Sequence, residues 1–233
     1  AYELSLGLVG SEMCIRDSSY PNLKMGAHRN EDFGNMINGT TGQVSTTCIL
    51  KDVDSRALID FAAVHNSNND FALNGPQNIK ANLRNYWCNG TPLPPLKSSS
   101  TEAEVNENFG EFTSTVTKLL VLQESKGYGE LIRNIKEGNI EEISPTDEIT
   151  KALFNIDMDA EGSNSVRSRQ KTEAEDKEAS NIYKAGSVVV FKNLKKNKFG
   201  IMIIRSVNVD FDAVKATNDA NATITFDLYY QRY

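Results

Sequence analysis

Hydrophobic and polar positions alternate most regularly in the last third of the chain. The runs 187–191 (SVVVF) and 199–207 (FGIMIIRSV) are rich in β-branched residues, and a lysine-rich turn at 195–198 separates them. In 222–230 (ATITFDLYY) the apolar and polar side chains fall on opposite faces, because successive side chains of a strand alternate. These three runs predict a three-stranded antiparallel meander that ends the chain.

The front of the chain, residues 19–90, is typical of short β segments separated by polar turns. Asn38-Gly39 is a dipeptide that favours the tight turn of a hairpin. The run 57–65 (ALIDFAAVH) is apolar apart from Asp60, and it predicts a strand buried on both faces.

The middle of the chain predicts about two short helices. Residues 128–138 carry Leu131, Ile132 and Ile135 at helical spacing, and Gly138 suits the residue after a helix. A second helix is expected near 146–153, after a segment that suits an N-cap. The run 113–122 fits either a strand or a helix. The proline-rich stretch 91–101 predicts a surface loop. The charged stretch 160–180 predicts a solvated loop or an exposed helical turn, with a mobile lid or partner-binding arm as the alternative.

The first eighteen residues differ in character from the rest. The run 12–18 (EMCIRDS) resembles the translation of a transposase mosaic end, a sequencing adapter that gives Met-Cys-Ile-Arg-Asp in one frame. We therefore predict that residues 1–18 are an artefact rather than native sequence, the alternative being a genuine amphipathic segment. Residues 19–233 are predicted to form a single mainly-β domain, an antiparallel β-sandwich or open barrel.

Composition narrows the class of protein. The 233 residues include 39% hydrophobic residues, which excludes a collagen-like, coiled-coil or fully disordered chain. The chain has no run of about 18 apolar residues, so it contains no membrane-spanning helix. A net charge of −6 argues against binding to nucleic acid. Outside the first eighteen residues, Cys48 and Cys88 remain as either a disulfide or two free thiols, without the C-x-x-C spacing of zinc or thioredoxin-like sites.

Candidate chemistry begins with the two histidines, His28 and His65. Each is either a structural residue or an axial ligand of haem or a metal through a neutral imidazole nitrogen. No G-x-S-x-G motif accompanies them, and we expect a protein that is not an enzyme. Tyr86 and Trp87 are candidates for stacking on a sugar or a porphyrin, with core aromatics beside Cys88 as the simpler interpretation.

One further motif imitates a metal site. The run 157–162 (DMDAEG) begins like a calcium-binding loop, but Ser168 stands at the twelfth position, where such a loop needs a bidentate glutamate. We therefore predict no metal site there.

The C-terminal unit resembles the end of HmuY-type proteins. The matching segments are 186–192 (GSVVVFK), 198–203 (KFGIMI) and 222–230 (ATITFDLYY), with weaker similarity at 39–44 and 59–61. HmuY-type proteins are haem-binding surface lipoproteins of gram-negative bacteria. The resemblance touches about a third of the chain.

The resemblance implies an antiparallel β fold, a signal peptide and lipidated cysteine upstream of the sequence, and attachment at the outer membrane or cell surface. It also implies haem capture, for which His28 and His65 are the candidate ligands and Met25, Met36 and Met158 are weaker ones. The expected function is therefore a non-catalytic surface or periplasm-facing lipoprotein that binds a small ligand, with haem as the candidate. The alternative is a structural or carbohydrate-binding surface protein.

Overall fold

The computed structural model describes most of the chain from Ser18 onwards. The described residues are 18–28, 30, 32–65, 70–79, 83, 87–88, 91–93, 95–97, 99–137, 148–169, 181–209 and 221–231. Of the predicted artefact, residues 1–17 lie outside this set, and Ser18 is the first residue of the first strand.

The described strands form two five-stranded antiparallel sheets, and their strands are numbered in chain order. Sheet A has the spatial order β1 (Ser18–Gly26), β12 (Thr223–Tyr230), β11 (Lys198–Asn208), β10 (Val188–Asn193) and β8 (Thr117–Val121). Sheet B has the order β3 (Gln43–Ser45), β2 (Met36–Asn38), β4 (Phe61–His65), β5 (Asp70–Asn74) and β9 (Ser165–Arg169). A small ribbon pairs β6 (Trp87–Cys88) with β7 (Thr91–Pro92). The predicted fold class is confirmed, and the chain forms the sandwich rather than the open barrel.

Helices flank the two sheets. They are α1 (Val53–Arg56), α2 (Glu102–Thr113), α3 (Gly129–Glu137) and α4 (Glu148–Phe154). The helices α3 and α4 confirm the two short helices that the sequence predicts. No described helix is long and apolar enough to cross a membrane.

Three apolar clusters hold these layers together, because each sheet presents apolar side chains on both faces. The first lies between the sheets, where the rings of Phe61 and Phe191 meet edge to face with centroids 5.1 Å apart. The second covers the outer face of sheet B and includes Val105, Phe109 and Phe112 of α2. The third packs α3 and α4 on the outer face of sheet A.

The meander and the first hairpin confirm two predictions. The strands β10, β11 and β12 are sequential antiparallel neighbours in sheet A. The apolar face of β12 lies in the cluster between the sheets, as its alternation predicts. The strands β2 and β3 pair around a turn of residues 39–42, which Gly39 begins directly after Asn38, the last residue of β2.

Several boundaries differ from the predictions. The buried strand predicted over 57–65 spans only Phe61–His65, because the preceding residues close α1. The loop prediction is wrong for Ser165–Arg169, which pairs with β5 and buries Val166, while residues 170–180 lie outside the described part. In the ambiguous run 113–122, α2 ends at Thr113 and β8 follows at Thr117–Val121.

The structure also decides between the disulfide and the two free thiols that the sequence left open. Cys48 and Cys88 form a disulfide, with their Cα atoms 4.9 Å apart across a sequence separation of 40 residues. The bond joins the 3-10 turn Thr47–Lys51, which follows β3, to β6.

Candidate functional site

The structure brings the two histidines to one end of the sandwich. His28 lies two residues beyond the end of β1, and His65 is the last residue of β4. The backbone N–H groups of Gly26 and Ala63 donate to the consecutive carbonyls of residues 34–35, at 2.9 and 2.8 Å. This shared segment connects the ends of β1 and β4, so both histidines belong to the same end, which we call the histidine end.

Both histidines are buried there. His28 is 8% exposed and His65 is 1% exposed. His65 pairs with Phe71 of β5, and the alternation of β4 places His65 on the face of sheet B that packs against sheet A. The imidazole of His65 therefore lies at the end of the inter-sheet core, and the His28 side chain is buried rather than on an open surface.

Two further buried polar side chains, which no sequence motif marks, occupy the same region. Asn35 and Thr47 are each 2% exposed, and the Thr47 hydroxyl donates to Asn35 Oδ1 at 3.1 Å. The Asn35 amide nitrogen is buried without a hydrogen-bond partner among the described residues. Because the register continues from Met36↔Ala62 and Ile37↔Phe61, Asn35 falls opposite Ala63, which shares the inner face of sheet B with His65. The histidine end thus combines four polar side chains with an apolar core.

The three weaker candidates lie in three different apolar clusters. Met25 lies near the end of β1 in the cluster between the sheets, Met36 in the cluster on the outer face of sheet B, and Met158 in the cluster under α3 and α4. Tyr86 lies outside the described residues, and for Trp87 only the backbone, in β6, is described.

In the acidic turn 157–162, backbone N–H groups of the turn itself bind one of the carboxylates. Asp157 Oδ1 accepts hydrogen bonds from the N–H groups of Asp159 and Ala160, at 3.0 and 3.1 Å. Such an Asx turn is a local device that needs no ion. Within the described part of the chain, no three His, Cys, Asp or Glu side chains are grouped so that they could hold a metal ion.

A second buried polar cluster lies at the other end of β4, and we call it the aspartate end. Asp60 is fully buried immediately before β4, and its Oδ2 accepts from the Gly39 N–H at 2.8 Å. Its Oδ1 accepts from Asn193 Nδ2 at 2.7 Å, Lys196 Nζ at 2.9 Å and the Tyr230 hydroxyl at 3.3 Å. The carboxylate therefore joins the β2–β3 turn of sheet B to three elements of sheet A.

The aspartate end is closely packed and internally satisfied. A Cβ on Gly39 would clash with the Tyr230 ring, so only glycine allows the turn to approach this closely. Burial of the Tyr230 phenol, followed by the negative charge of Asp60, raises the pKa of Tyr230 well above its usual range. Both oxygens of Asp60 accept hydrogen bonds from the protein, so this cluster fastens the two sheets together.

The comparisons with known proteins are sparse. Neither the family models nor the curated proteins contain a match to the chain. Among solved structures, the chain is similar to a DUF4466 family protein from Parabacteroides merdae, at 12% identity and a TM-score of 0.48. The match covers 93% of this chain and 54% of that protein, so the chain spans about half the length of that structure.

Proposed function

We propose that the chain is a non-catalytic, extracytoplasmic bacterial lipoprotein that binds a small ligand at its histidine end, with haem as the first candidate. The observation that carries this proposal is the arrival of His28 and His65 at one end of the sandwich from different sheets. Attachment to the outer membrane or cell surface would come from a lipid anchor upstream of the sequence, as in the HmuY-type proteins that the chain resembles.

The disulfide supports the proposed location of the protein outside the cytoplasm. Disulfides persist in oxidising environments such as the periplasm and the cell surface, and they are rare in the cytosol of most bacteria. The bond between Cys48 and Cys88 is therefore what an exported protein is expected to contain.

The residues of the histidine end fit the chemistry of a haem site. A neutral imidazole supplies an axial nitrogen to haem iron, and apolar surroundings suit the macrocycle. His28 and His65 provide two imidazoles, and the inter-sheet core next to them includes Met25, Ala27 and Phe71. When bound, haem would supply the iron that these nitrogens coordinate.

Burial decides how a ligand enters. With His65 only 1% exposed, an imidazole nitrogen becomes accessible to a large ligand only when this end of the sandwich opens. The buried Asn35 amide nitrogen favours binding of a group with a hydrogen-bond acceptor at this end, because a buried donor without an acceptor costs about 1–3 kcal/mol. An acceptor on the ligand, or a bound water, recovers that free energy.

A haem titration followed by absorbance tests the proposal. We expect a saturable Soret shift with the wild-type chain, and at least a tenfold weaker affinity in His28→Ala or His65→Ala. Met36→Leu and Met158→Leu serve as matched controls, because both methionines are buried in other clusters, and their titrations should be unchanged. A flat titration, or the same shift in every variant, would overturn haem binding at this end. The structural or carbohydrate-binding alternative would then be tested with glycans.

A further inference from the structure

The aspartate end carries a cluster of lysine side chains on its surface. We call Lys192, Lys195 and Lys198 the basic patch; Lys195 is exposed and the other two are half-buried. They lie in and beside the turn between β10 and β11, next to Asn193, whose side chain donates to Asp60. Because the net charge of the chain is −6, the basic patch is a positive surface on a protein that is negative overall.

The charges of the basic patch are not neutralised by the described residues around it. Lys196, the remaining lysine of the turn, forms an ion pair with Asp60 at 2.9 Å. Within the described part of the chain, the three lysines of the basic patch form no such pair. The acidic turn 157–162 packs beside Lys118, the cross-strand neighbour of Lys192, and so bounds the patch on the side of β8. The patch therefore presents uncompensated positive charge to the surroundings.

Two exposed apolar side chains flank the basic patch. Leu58 is 50% exposed, and its carbonyl accepts a hydrogen bond from Lys196 Nζ at 2.7 Å. Phe154 is 38% exposed and packs edge to face on Phe199, which pairs with Lys192 across β10 and β11. Lysines attract anionic lipid headgroups, and apolar side chains beside them can enter the headgroup region. The combination is suited to a lipid surface of negative charge.

The direction of β1 relates this surface to the histidine end. Ser18 pairs with Tyr230 at the aspartate end, and Gly26 pairs with Thr223 towards the histidine end. A segment upstream of β1 therefore joins the sandwich at the same end as the basic patch. The nine residues of β1 span about 30 Å, so the two histidines lie at the far end of the sandwich from the patch.

We propose that the aspartate end docks on an anionic lipid surface, with the basic patch on the headgroups and Leu58 and Phe154 in the headgroup region. A lysine near such a surface strengthens binding about fivefold, and salt weakens the attraction. With the lipid anchor of the proposed function upstream of β1, on which the orientation rests, the histidine end points away from the membrane. The docking itself needs neither the anchor nor haem.

Cosedimentation of the full chain with lipid vesicles tests the docking. At low ionic strength we expect binding to vesicles of phosphatidylglycerol and phosphatidylcholine in equal parts, and at least about tenfold weaker binding to phosphatidylcholine alone. Lys195→Gln/Lys198→Gln should lower the partition coefficient at least about tenfold, and Leu58→Gln at least about threefold. Lys126→Gln/Lys184→Gln is the matched control, since it removes the same charge at the opposite end, just after β8 and just before β10, and should bind like the wild type.

Three results would overturn the proposal. They are no binding to the anionic vesicles, binding that high salt leaves unchanged, and equal weakening by the two pairs of lysine substitutions. All the variants keep Lys196 and therefore the contacts of Asp60, so their circular dichroism should match that of the wild type. Because the assay contains no haem, failure of the docking and failure of haem binding are distinguished.

Discussion

Replacement of Asp60 is the sharpest perturbation of the fold. The carboxylate is fully buried and accepts hydrogen bonds from four donors on the β2–β3 turn, β10, the β10–β11 turn and β12. In Asp60→Ala these donors lose their common acceptor. Three of them, from Gly39, Asn193 and Tyr230, are themselves buried.

The expected loss in the free energy of unfolding follows from the number of donors that lose their acceptor. A buried donor left without an acceptor costs about 1–3 kcal/mol, and breaking a buried ion pair by removing one partner costs about 3–5 kcal/mol. These terms overlap, and we expect Asp60→Ala to lower the free energy of unfolding by about 4 kcal/mol. In Asp60→Ala, water partly replaces the contact of the Lys196 side chain, which is 20% exposed. Lys196→Met, in contrast, leaves the fully buried carboxylate without its positive partner, and we expect it to cost about 3 kcal/mol.

Urea unfolding followed by circular dichroism measures both variants and their combination. Because the two side chains interact directly at 2.9 Å, the double variant should lose at least about 1 kcal/mol less than the sum of the single losses. Asp54→Ala is the matched control, since this carboxylate is exposed on α1 and its removal should change stability by less than about 0.5 kcal/mol. A loss below about 1 kcal/mol in Asp60→Ala, or strict additivity, would refute the fastening role of Asp60.

Three smaller predictions use the same unfolding assay. Burial, followed by the charge of Asp60, raises the pKa of Tyr230. The stabilisation that depends on the neutral phenol is therefore fully present below the ordinary tyrosine pKa of 10.0. Stability should then fall above that pH by up to about 1.4 kcal/mol per pH unit, and Tyr230→Phe should remove this part of the slope; an unchanged alkaline slope would contradict it. Thr101→Ala should cost about 1 kcal/mol, because it removes the capping box with Glu104; a neutral effect would count against that cap. Gly39→Ala should cost about 1–3 kcal/mol through the clash with Tyr230, and a neutral substitution would show that the turn can retreat.

The elements that the sequence predicted well are those whose pattern is local. The strand β12 alternates along its whole length, so its buried face could be assigned without knowing its neighbours. The helix α3 likewise carries three apolar residues at helical spacing before a glycine. Such patterns predict the type of a single element and the face that it buries, without information on its neighbours.

The start of the helix α2 is marked in the sequence by a capping motif, although the predictions do not include this helix. Thr101 and Glu104 form a capping box, in which Glu104 N–H donates to Thr101 Oγ1 at 3.3 Å and Thr101 N–H donates to Glu104 Oε2 at 2.6 Å. This Thr-x-x-Glu spacing is visible in the sequence. In β9, by contrast, Val166 is the single large apolar residue, so its strand conformation depends on pairing with β5.

The candidate site depends on contacts between distant parts of the chain. His28 follows a strand of sheet A and His65 ends a strand of sheet B, so their arrival at one end follows from the sheet order. The break that Asp60 makes in an apolar run was visible in the sequence, but its partners Asn193 and Tyr230 lie 133 and 170 residues away. Spacing along the chain carries no information on such pairs.

Gel filtration after addition of excess haem is the decisive test of ligand binding by His28 and His65, because it measures how much haem stays with the protein. We expect close to one haem per wild-type chain, and loss of that haem from the His28→Ala/His65→Ala variant while its elution volume and circular dichroism stay the same. Equal retention of haem by the double variant, or none by the wild type, would contradict ligand binding by these two histidines.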